Sequence, residues 1–585
     1  MPPEAAPAAG DAAVAPGAES QVKAPAETSD RGDGRAELEG GAPVSRPAAG
    51  SAGPMVADAP GPAAPGAGPG RRQVRGGRWW AWAGWPLIAV LVVQAALSLR
   101  LIGADTAFQD EAAYLWAGHL EWAHWLHGVP VPPFQAYFSG APVIYPPVGA
   151  LADSVGGLAA ARVLSLVFML GATALVWATA GRLFGRRAAF FAAALFAVLG
   201  PTLHLGSFAT YDALSVFLVG LAAWCVVRAG ERLDATGWMV AAGVALAVAN
   251  AAAYSSALFD PVVIAIAVLT AFPRPGRRAA LARGATLLTV LVALLLAGTL
   301  IGGSSYLSGI EQTTLERVGG TDSALTVLAH SWAWTGLVFV AALCGVAVSW
   351  ARRQPATQTW LLAVLALAAL LVPAEQAFLQ TLASLNKHGD MGAWFAVIAA
   401  GYAVDRLIAA APAGQMRALT CGACVIALAL PAALGATQSR GFASDWPNSA
   451  SFTAILRPLV DQGSGHLLVE DPSIAEYYLP AGSQWRRWSS TRNIILPSGA
   501  STGHPGKAAG VVGAGNPAAF ARYIKAGYFS LVALNYTDTT ALDHAITADL
   551  HRNPHYRIVQ VVPYGIEVPP IGLGTYVIWR YEQKP

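Results

Sequence analysis

Residues 281–301 read LARGATLLTVLVALLLAGTLI, an apolar run with a single charge, Arg283, near its start. About 20 apolar residues in α-helical conformation cross the hydrocarbon core of a bilayer. This stretch therefore predicts a transmembrane helix. It decides the fold class because comparable runs recur on both sides of it.

The recurring runs predict about eleven transmembrane helices. The chain has 585 residues, of which 55% are hydrophobic and only 12% charged, and this composition argues against a soluble enzyme. A break at Asp260-Pro261 makes the sixth span short. The predicted spans are 79–99, 159–180, 188–206, 211–228, 237–253, 257–272, 281–301, 331–350, 359–376, 391–410 and 418–437.

Basic residues predict the orientation, because cytoplasmic connections are enriched in Lys and Arg. If the first span runs outward, the outer connections hold only Arg100, Arg317 and Lys387, with Arg162 just inside the second span. The prediction is a multi-pass plasma-membrane protein with a cytoplasmic amino end and an extracytoplasmic carboxyl end. Its small net charge of +3 does not indicate a nucleic-acid partner. The inner segments hold Arg71, Arg72, Arg75, Arg78, Arg182, Arg186, Arg187, Arg228, Arg232, Arg274, Arg277, Arg278, Arg283, Arg352, Arg353, Arg406 and Arg417.

The two ends of the chain differ from the apolar region, 76–438. Residues 1–75 are mostly Ala, Pro and Gly, which predicts a disordered cytoplasmic tail. Residues 439–585 alternate strand-like and helix-like runs, which predicts a small extracytoplasmic α/β domain. The strand-like runs are 466–470, 530–534, 556–562 and 575–580, and the helix-like runs are 472–479 and 539–552.

Polar residues that could carry chemistry fall in the outer connections. Asp110 and Glu111 stand at the start of a predicted helix, 111–127, in the long first outer connection, 100–158, and capping of that helix is their simplest role. Such carboxylates, with nearby cations and aromatic rings, also suit transfer of a group from a lipid phosphate to a hydroxyl. The other residues of this kind are Tyr114, Tyr145, Arg162, His204, Asp212, Lys387 and His388.

A metal site is a weaker interpretation of the same helix. His119, His124 and His127 lie on it with Glu121, but spacings of five and three do not bring all three imidazoles to one face. An aromatic interfacial helix is favoured instead. The sequence leaves the need for a divalent metal open and predicts no other cofactor.

As an ordered set, these residues resemble the GT-C class of integral membrane glycosyltransferases. The resemblance covers about residues 79–436 and rests on Asp110-Glu111, Tyr145-Pro146-Pro147, Arg162 and the run Thr210-Tyr211-Asp212-Ala213-Leu214. The most similar branch is the protein O-mannosyltransferase and lipid A aminoarabinose transferase group, which is like glycosyltransferase family 39. Only 5 of the 37 basic residues are Lys, a usage that resembles high-GC actinobacteria.

The resemblance implies a polyprenyl-phosphate-linked sugar as donor, a glycan, lipid or protein as acceptor, and inversion by direct displacement at the extracytoplasmic face of the bilayer. It implies Asp110 as the first candidate for the catalytic base or an acceptor-binding carboxylate, with Glu111 beside it. Where this chain has Lys387-His388 the group often has Arg-Tyr or His-Tyr, so the phosphate-binding role assigned here to Lys387, Arg162 and His388 is a hypothesis. The implied substrate-binding residues are Tyr114, Tyr145, Asp212 and His204.

Two other functions remain open at this stage. One is a polytopic lipid or glycan transporter or flippase, although no convincing internal repeat is present. The other is a membrane-anchored scaffold that binds cell-wall polymer. Wide separation of Asp110, Glu111, Asp212 and Lys387 in the folded chain would favour the scaffold.

Overall fold

A computed structural model describes residues 84–230, 232, 234–273, 276–315, 320–461, 463–491, 494–495, 511–512, 517–537, 539–565 and 573–582. The predicted tail, 1–75, and the start of the first predicted span lie outside these residues.

Apolar α-helices form the membrane region. Within the described residues, eight helical segments are long and apolar enough to cross a bilayer, and two shorter apolar helices accompany them. The helices are α1 (Trp85–Leu99), α2 (Gln109–His127), α3 (Tyr145–Phe184), α4 (Arg186–Ala197), α5 (Gly200–Leu205), α6 (Tyr211–Ala229), α7 (Thr236–Ala252), α8 (Asp260–Ala271), α9 (Arg277–Ile310), α10 (Ala324–Ala351), α11 (Ala356–Leu367), α12 (Leu371–Phe378), α13 (Leu385–Ala410), α14 (Gln415–Ala427) and α15 (Ala429–Phe442).

The predicted span 188–206 is divided into α4 and α5, so the count of eleven continuous spans is not confirmed. The chain is extended at Leu199, with ψ 143°, and Pro201 lies in the first turn of α5, where its missing N–H costs no hydrogen bond. Helix α15 crosses this break closely. A Cβ atom on Gly435 would lie 1.8 Å from the carbonyl oxygen of Val198.

Helix α3 is kinked about a third of the way from its amino end. Gly157 has φ 64°, a conformation that other residues rarely adopt. The kink separates residues 145–155 from the membrane-crossing part, and the predicted start of the second span at residue 159 falls just after it. The first connection therefore contains α2 and the beginning of α3.

Helix α13 runs through the centre of the bundle and is buried along most of its length. It packs against α4 and α10 through small residues, which let backbones approach closely. A Cβ on Gly401 would lie 2.4 Å from the oxygen of Ala188, and one on Gly345 would lie 2.6 Å from the oxygen of Ala399. This tight packing fixes the carboxyl-terminal half of α13 between α4 and α10.

The carboxyl-terminal residues form a five-stranded mixed sheet with helices on both faces. The strand order is β2-β1-β5-β7-β6, in which β1 is parallel to β2 and β5, while β7 is antiparallel to β5 and β6. The elements are α16 (Ala450–Asp461), β1 (His466–Val469), α17 (Ser473–Tyr478), β2 (Trp488–Ser489), β3 (Ile494–Ile495), β4 (Val511–Val512), α18 (Pro517–Lys525), β5 (Phe529–Leu534), α19 (Thr540–Arg552), β6 (Tyr556–Gly565) and β7 (Leu573–Tyr581).

Alternation along β1 shows how this sheet is buried. Leu467 and Val469 face the side of the sheet covered by α16, whereas Leu468 faces the side covered by α18 and α19. The four predicted strands correspond to β1, β5, β6 and β7, and the two predicted helices correspond to α17 and α19. The predicted α/β domain is therefore confirmed.

This domain docks on the first connection of the membrane region. Tyr478 accepts a hydrogen bond from the Ala107 N–H at 2.8 Å, and the Trp116 indole donates to the Gly482 carbonyl at 3.1 Å. The domain therefore lies at the end of the helix bundle that carries Asp110.

Candidate active site

The site forms around the amino end of α2. The Glu111 carboxylate reaches back and accepts a hydrogen bond from the Phe108 N–H at 3.1 Å, which satisfies a free amide at the helix start. Capping therefore accounts for one interaction of Glu111. Asp110, one residue earlier, points in a different direction.

Glu111 and Arg162 form a buried bidentate ion pair. The Arg162 Nε atom donates to Glu111 Oε1 at 2.8 Å and its Nη2 donates to Oε2 at 2.6 Å. The two side chains are 0% and 2% exposed. The backbone N–H of Ala209 also donates to Glu111, at 2.7 Å. Both carboxylate oxygens of Glu111 are therefore engaged.

Backbone carbonyls use the remaining donors of Arg162. Its Nη1 donates to Ile102 and Asp105 at 2.6 and 3.0 Å, and its Nη2 donates to Thr106 at 3.2 Å. With the two bonds to Glu111, all five N–H groups of the guanidinium have an acceptor. This geometry argues against the predicted contact between Arg162 and a donor phosphate.

Asp110 pairs instead with Lys387, at the amino end of α13. The Lys387 Nζ atom lies 2.5 Å from Asp110 Oδ2 and 5.9 Å from the centre of the Phe208 ring. The lysine side chain is 7% exposed and the aspartate 27%. Ser384, one turn earlier, has φ 66°, which is uncommon for a residue with a side chain. The surrounding packing therefore holds this turn in place.

A second pair lies beside the first. The His388 Nε2 atom is 3.3 Å from Asp212 Oδ1, and the Asp212 side chain is completely buried. Among the described residues, His388 Nδ1 has no hydrogen-bond partner. Because Lys387 and His388 are consecutive, one turn of α13 brings a cation and an imidazole to two carboxylates on different helices.

Aromatic rings line the same region. Tyr114 packs on Tyr211 with ring centres 4.6 Å apart and meets the edge of Tyr145 at 6.3 Å. Burial, reinforced by the nearby Asp110 carboxylate, raises the pKa of Tyr114 well above its usual value. The Tyr114 phenol is therefore neutral near pH 7, and it offers a proton-donating hydroxyl.

His204 is part of an aromatic cluster next to Lys387. Its ring stacks on Phe208 at 4.6 Å, and Phe208 in turn contacts Phe108 and Trp446, each at 5.7 Å. Phe208, Phe108 and Trp446 are not among the site residues predicted from the sequence. Phe208 lies between two predicted site residues, His204 and Asp212, whereas Trp446 follows the last predicted span and carries no local signal of a site.

The histidines of α2 do not converge. His119 Nε2 lies 2.7 Å from Asp153, whose other oxygen accepts from the Tyr477 hydroxyl at 2.6 Å, and His124 Nδ1 contacts the Val129 carbonyl. In the part of the chain that the structure describes, no group of three or more His, Cys, Asp or Glu residues is arranged to hold a metal ion.

The structure thus brings the predicted site residues together at one end of the bundle. Asp110 meets Lys387, Glu111 meets Arg162, and Asp212 meets His388. The wide separation expected of a scaffold is not observed. Tyr145 and His204 are buried behind Tyr114 and Phe208, respectively.

Comparison with known proteins supports the resemblance. Residues 150–301 match the family model described as dolichyl-phosphate-mannose-protein mannosyltransferase. No curated protein matches the chain in sequence.

Several solved structures are similar in fold. The crystal structure of ArnT from Cupriavidus metallidurans in the apo state has a TM-score of 0.53, with 15% identity over 85% of this chain and 98% of that chain. The structure of ArnT bound to undecaprenyl phosphate has a TM-score of 0.51, with the same identity and coverage. The apo oligosaccharyltransferase of Archaeoglobus fulgidus has a TM-score of 0.48 and 12% identity, over 85% of this chain and 76% of that chain.

At this low identity, the two ArnT structures establish a shared fold. The family match lies within the membrane region, from the beginning of α3 into α9. The chain therefore shares the fold of ArnT, and its membrane region is similar to the dolichyl-phosphate-mannose-protein mannosyltransferase family over residues 150–301.

Proposed function

We propose that the protein transfers a sugar from a polyprenyl-phosphate-linked donor to a hydroxyl of a glycan, lipid or protein acceptor. The observation that carries this proposal is the ion pair between Asp110 and Lys387, at the end of the bundle where the C-terminal domain docks. The name of the matched family and the undecaprenyl phosphate bound to ArnT support the class of donor.

In this proposal Asp110 is the general base. The acceptor oxygen attacks the anomeric carbon from the side opposite the phosphate, the bond between that carbon and the phosphate oxygen breaks, and the acceptor proton passes to Asp110. The electron pair of the broken bond leaves with the polyprenyl phosphate, and the anomeric centre is inverted. Lys387 balances the charge that develops on the phosphate, an effect strengthened by its burial.

Glu111 and Arg162 take a positioning role rather than the predicted catalytic and phosphate-binding roles. Their charges neutralise each other, and all donors of Arg162 are used. The pair connects the loop before α2 to α3 just after its kink. It therefore holds the start of α2, and with it Asp110, against α3 and the chain at Ala209.

His388 is the second phosphate contact in this proposal. Asp212 orients its ring through Nε2, and the buried Nδ1 has no partner among the described residues. Tyr114 contacts the sugar, Tyr145 supports the ring of Tyr114, and His204 supports Phe208. No step in this scheme passes through a metal ion.

The topology belongs to the same proposal. The arginine distribution supports a plasma-membrane protein with residues 1–75 in the cytoplasm, a membrane domain at 76–438 and an extracytoplasmic domain at 439–585. Transfer then takes place on the extracytoplasmic face. A cysteine-accessibility experiment on whole cells, with cysteines introduced at exposed Thr537 and Arg353, tests the orientation.

The Asp110→Asn variant tests the chemistry. The amide has nearly the same shape but accepts no proton, so transfer from decaprenyl phosphate carrying labelled mannose or arabinose should fall by about 100-fold or more in membranes. Asp549→Asn, which changes an exposed ion pair with Arg552, is the matched control and should retain full transfer. Near wild-type transfer by Asp110→Asn would contradict the proposal.

A further inference from the structure

A cavity of about 460 Å³ lies between the C-terminal domain and the amino end of α2. Its volume is within the range of small-ligand sites. Phe108 and Gln109 form its wall on the membrane side, immediately before Asp110 in the chain. The cavity therefore reaches the residue that precedes the proposed catalytic base, although Asp110 itself is not part of the lining.

The cavity opens at the carboxyl ends of two parallel strands. Glu470 and Asp471 follow β1, and residues 535–537 follow β5. From β1 the chain continues to β2, which pairs with one edge of β1, whereas β5 pairs with the other edge. The direction in which successive strands are added to the sheet therefore reverses between β1 and β5. In open α/β sheets, ligands bind outside the carboxyl ends of the strands at such a reversal.

The loop after β5 is held in a defined shape. The buried Glu470 carboxylate accepts hydrogen bonds from the backbone N–H groups of Asn535, Tyr536 and Thr537 at 2.6, 2.6 and 2.9 Å. Tyr536 has φ 61°, a rare conformation for a bulky residue. The cavity wall is thus preorganised, which lowers the entropy lost on binding.

The chemistry of the lining differs from that of the donor site. Three carboxylates line the cavity, from Asp445, Glu470 and Asp471, and none of the described lining residues is Lys or Arg. Backbone N–H groups already occupy both oxygens of Glu470, so Asp445 and Asp471 are the carboxylates considered for a ligand. Such a surface repels a phosphate, which fits the cationic site around Lys387 instead. It suits a neutral molecule whose hydroxyl groups donate hydrogen bonds to the carboxylates of Asp445 and Asp471.

Aromatic rings complete this arrangement. Trp446 and Tyr576 line the cavity with Phe108, and Tyr576 stacks on Phe452 with ring centres 4.2 Å apart. The C–H face of a sugar ring packs on such rings while its hydroxyl groups reach the carboxylates. An extended peptide offers fewer hydroxyl donors, and a lipid tail has no group that donates a hydrogen bond to a carboxylate.

We propose that this cavity binds a neutral glycan and that the acceptor is therefore a carbohydrate. The inference rests on the proposed function and narrows its acceptor class. The bound sugar places one hydroxyl at Asp110, while the donor phosphate occupies the side of Lys387 and His388. The C-terminal domain is then a substrate-binding part of the enzyme.

The test uses the full-length protein in lipid nanodiscs and two cavity variants. Asp445→Asn removes a charged acceptor, and Thr537→Trp places a large side chain at the exposed edge of the cavity. Asp549→Asn and Gln560→Trp, on the same domain but outside the lining, are the matched controls. The acceptor probe is a deproteinised, delipidated envelope polysaccharide fraction from a strain that lacks the gene.

Both cavity variants should raise the KM for this polysaccharide about tenfold without changing the KM for the lipid-linked donor. Asp445→Asn loses one charged hydrogen bond to the polysaccharide, and Thr537→Trp fills part of the cavity. The controls should leave both constants unchanged. In membranes of the deletion strain, the wild-type protein should place the labelled sugar in polysaccharide.

Three results overturn the inference. Label in protease-sensitive material indicates a protein acceptor, and label in an organic-solvent extract indicates a lipid. Unchanged polysaccharide KM in both cavity variants removes the cavity from the site. If Asp110→Asn still abolishes transfer in the same assay, the glycosyltransferase proposal stands and only the cavity assignment fails.

Discussion

Replacing Arg162 by Met tests whether this cation is a structural partner or a phosphate ligand. The substitution keeps an unbranched apolar stem but removes the guanidinium. The Glu111 carboxylate is then buried with only the N–H groups of Phe108 and Ala209 as partners, and the carbonyls of Ile102, Asp105 and Thr106 lose a donor.

The expected cost follows from these contacts. Breaking a buried ion pair by removing one partner destabilises a protein by about 3–5 kcal/mol. In the double variant Glu111→Gln/Arg162→Met, no uncompensated charge is left, so about 1–3 kcal/mol of this loss should be recovered. Arg162→Lys keeps the charge but offers three donors in place of five, and it should fall between wild type and Arg162→Met.

The assay combines a thermal midpoint in detergent, followed by size-exclusion chromatography, with the donor KM of the folded fraction. Arg162→Met should lower the midpoint by about 5–10 °C, the double variant by less, and neither should change the donor KM of the folded protein more than about threefold. Arg100→Met is a control, because the exposed Arg100 donates to the backbone carbonyls of Leu97 and Ala436 and not to a carboxylate.

The opposite pattern would refute this reasoning. If Arg162→Met unfolds at the wild-type temperature but needs far more donor, the guanidinium contacts the phosphate, as the resemblance implied. Equal stability of Arg162→Met and the double variant would show that Glu111 and Arg162 are not energetically coupled.

Three other variants probe separate features. Lys387→Met should lower kcat/KM for the donor by about 100-fold, because a buried cation no longer faces the leaving phosphate. Lys387→Arg keeps the charge and should retain part of the activity. An unchanged donor dependence would exclude Lys387 from the site. Burial, with Asp471 nearby, raises the pKa of Glu476 well above its usual value. The folded protein therefore favours the neutral acid. The contribution of Glu476 to the free energy of unfolding is fully present below the unfolded pKa of about 4.3 and is lost as pH rises through the folded pKa. Glu476→Gln should raise the thermal midpoint at pH 8 and have little effect at pH 4.5, and an equal effect at both values would contradict this. Gly435→Ala places a Cβ 1.8 Å from the Val198 oxygen and should lower the free energy of unfolding by about 1–3 kcal/mol. The control Gly422→Ala, with no atom within 4 Å of the new Cβ, should leave the thermal midpoint unchanged. Equal effects of the two variants would show that α15 does not pack at the break.

Hydropathy predicted most of the membrane helices, because an apolar run of about 20 residues has the length of a helix that crosses the bilayer. Even the interruption at Asp260-Pro261 appears in the structure, where Pro261 lies in the first turn of α8. The break between α4 and α5 was not predictable in this way. Both halves are apolar, and the extended chain at Leu199 is accompanied by the close approach of α15, which no local pattern encodes.

The candidate site was predictable in composition but not in its pairing. Asp110 and Glu111 are adjacent, so their side chains leave the helix about 100° apart and meet different partners. Arg162 lies 51 residues from Glu111 and Lys387 lies 277 residues from Asp110, and only the packed bundle decides which cation meets which carboxylate. Trp446 was missed because its role depends on the docking of the C-terminal domain on the loop at Thr106.

The Glu111–Arg162 pair also determines which parts of the molecule can move. It ties together the loop 102–111, the beginning of the membrane-crossing part of α3 and the chain at Ala209. These segments are expected to move as one rigid body, with Asp110 fixed to it. We therefore expect an opening that admits a bulky lipid-linked sugar to involve an element outside this body, such as the amino end of α13.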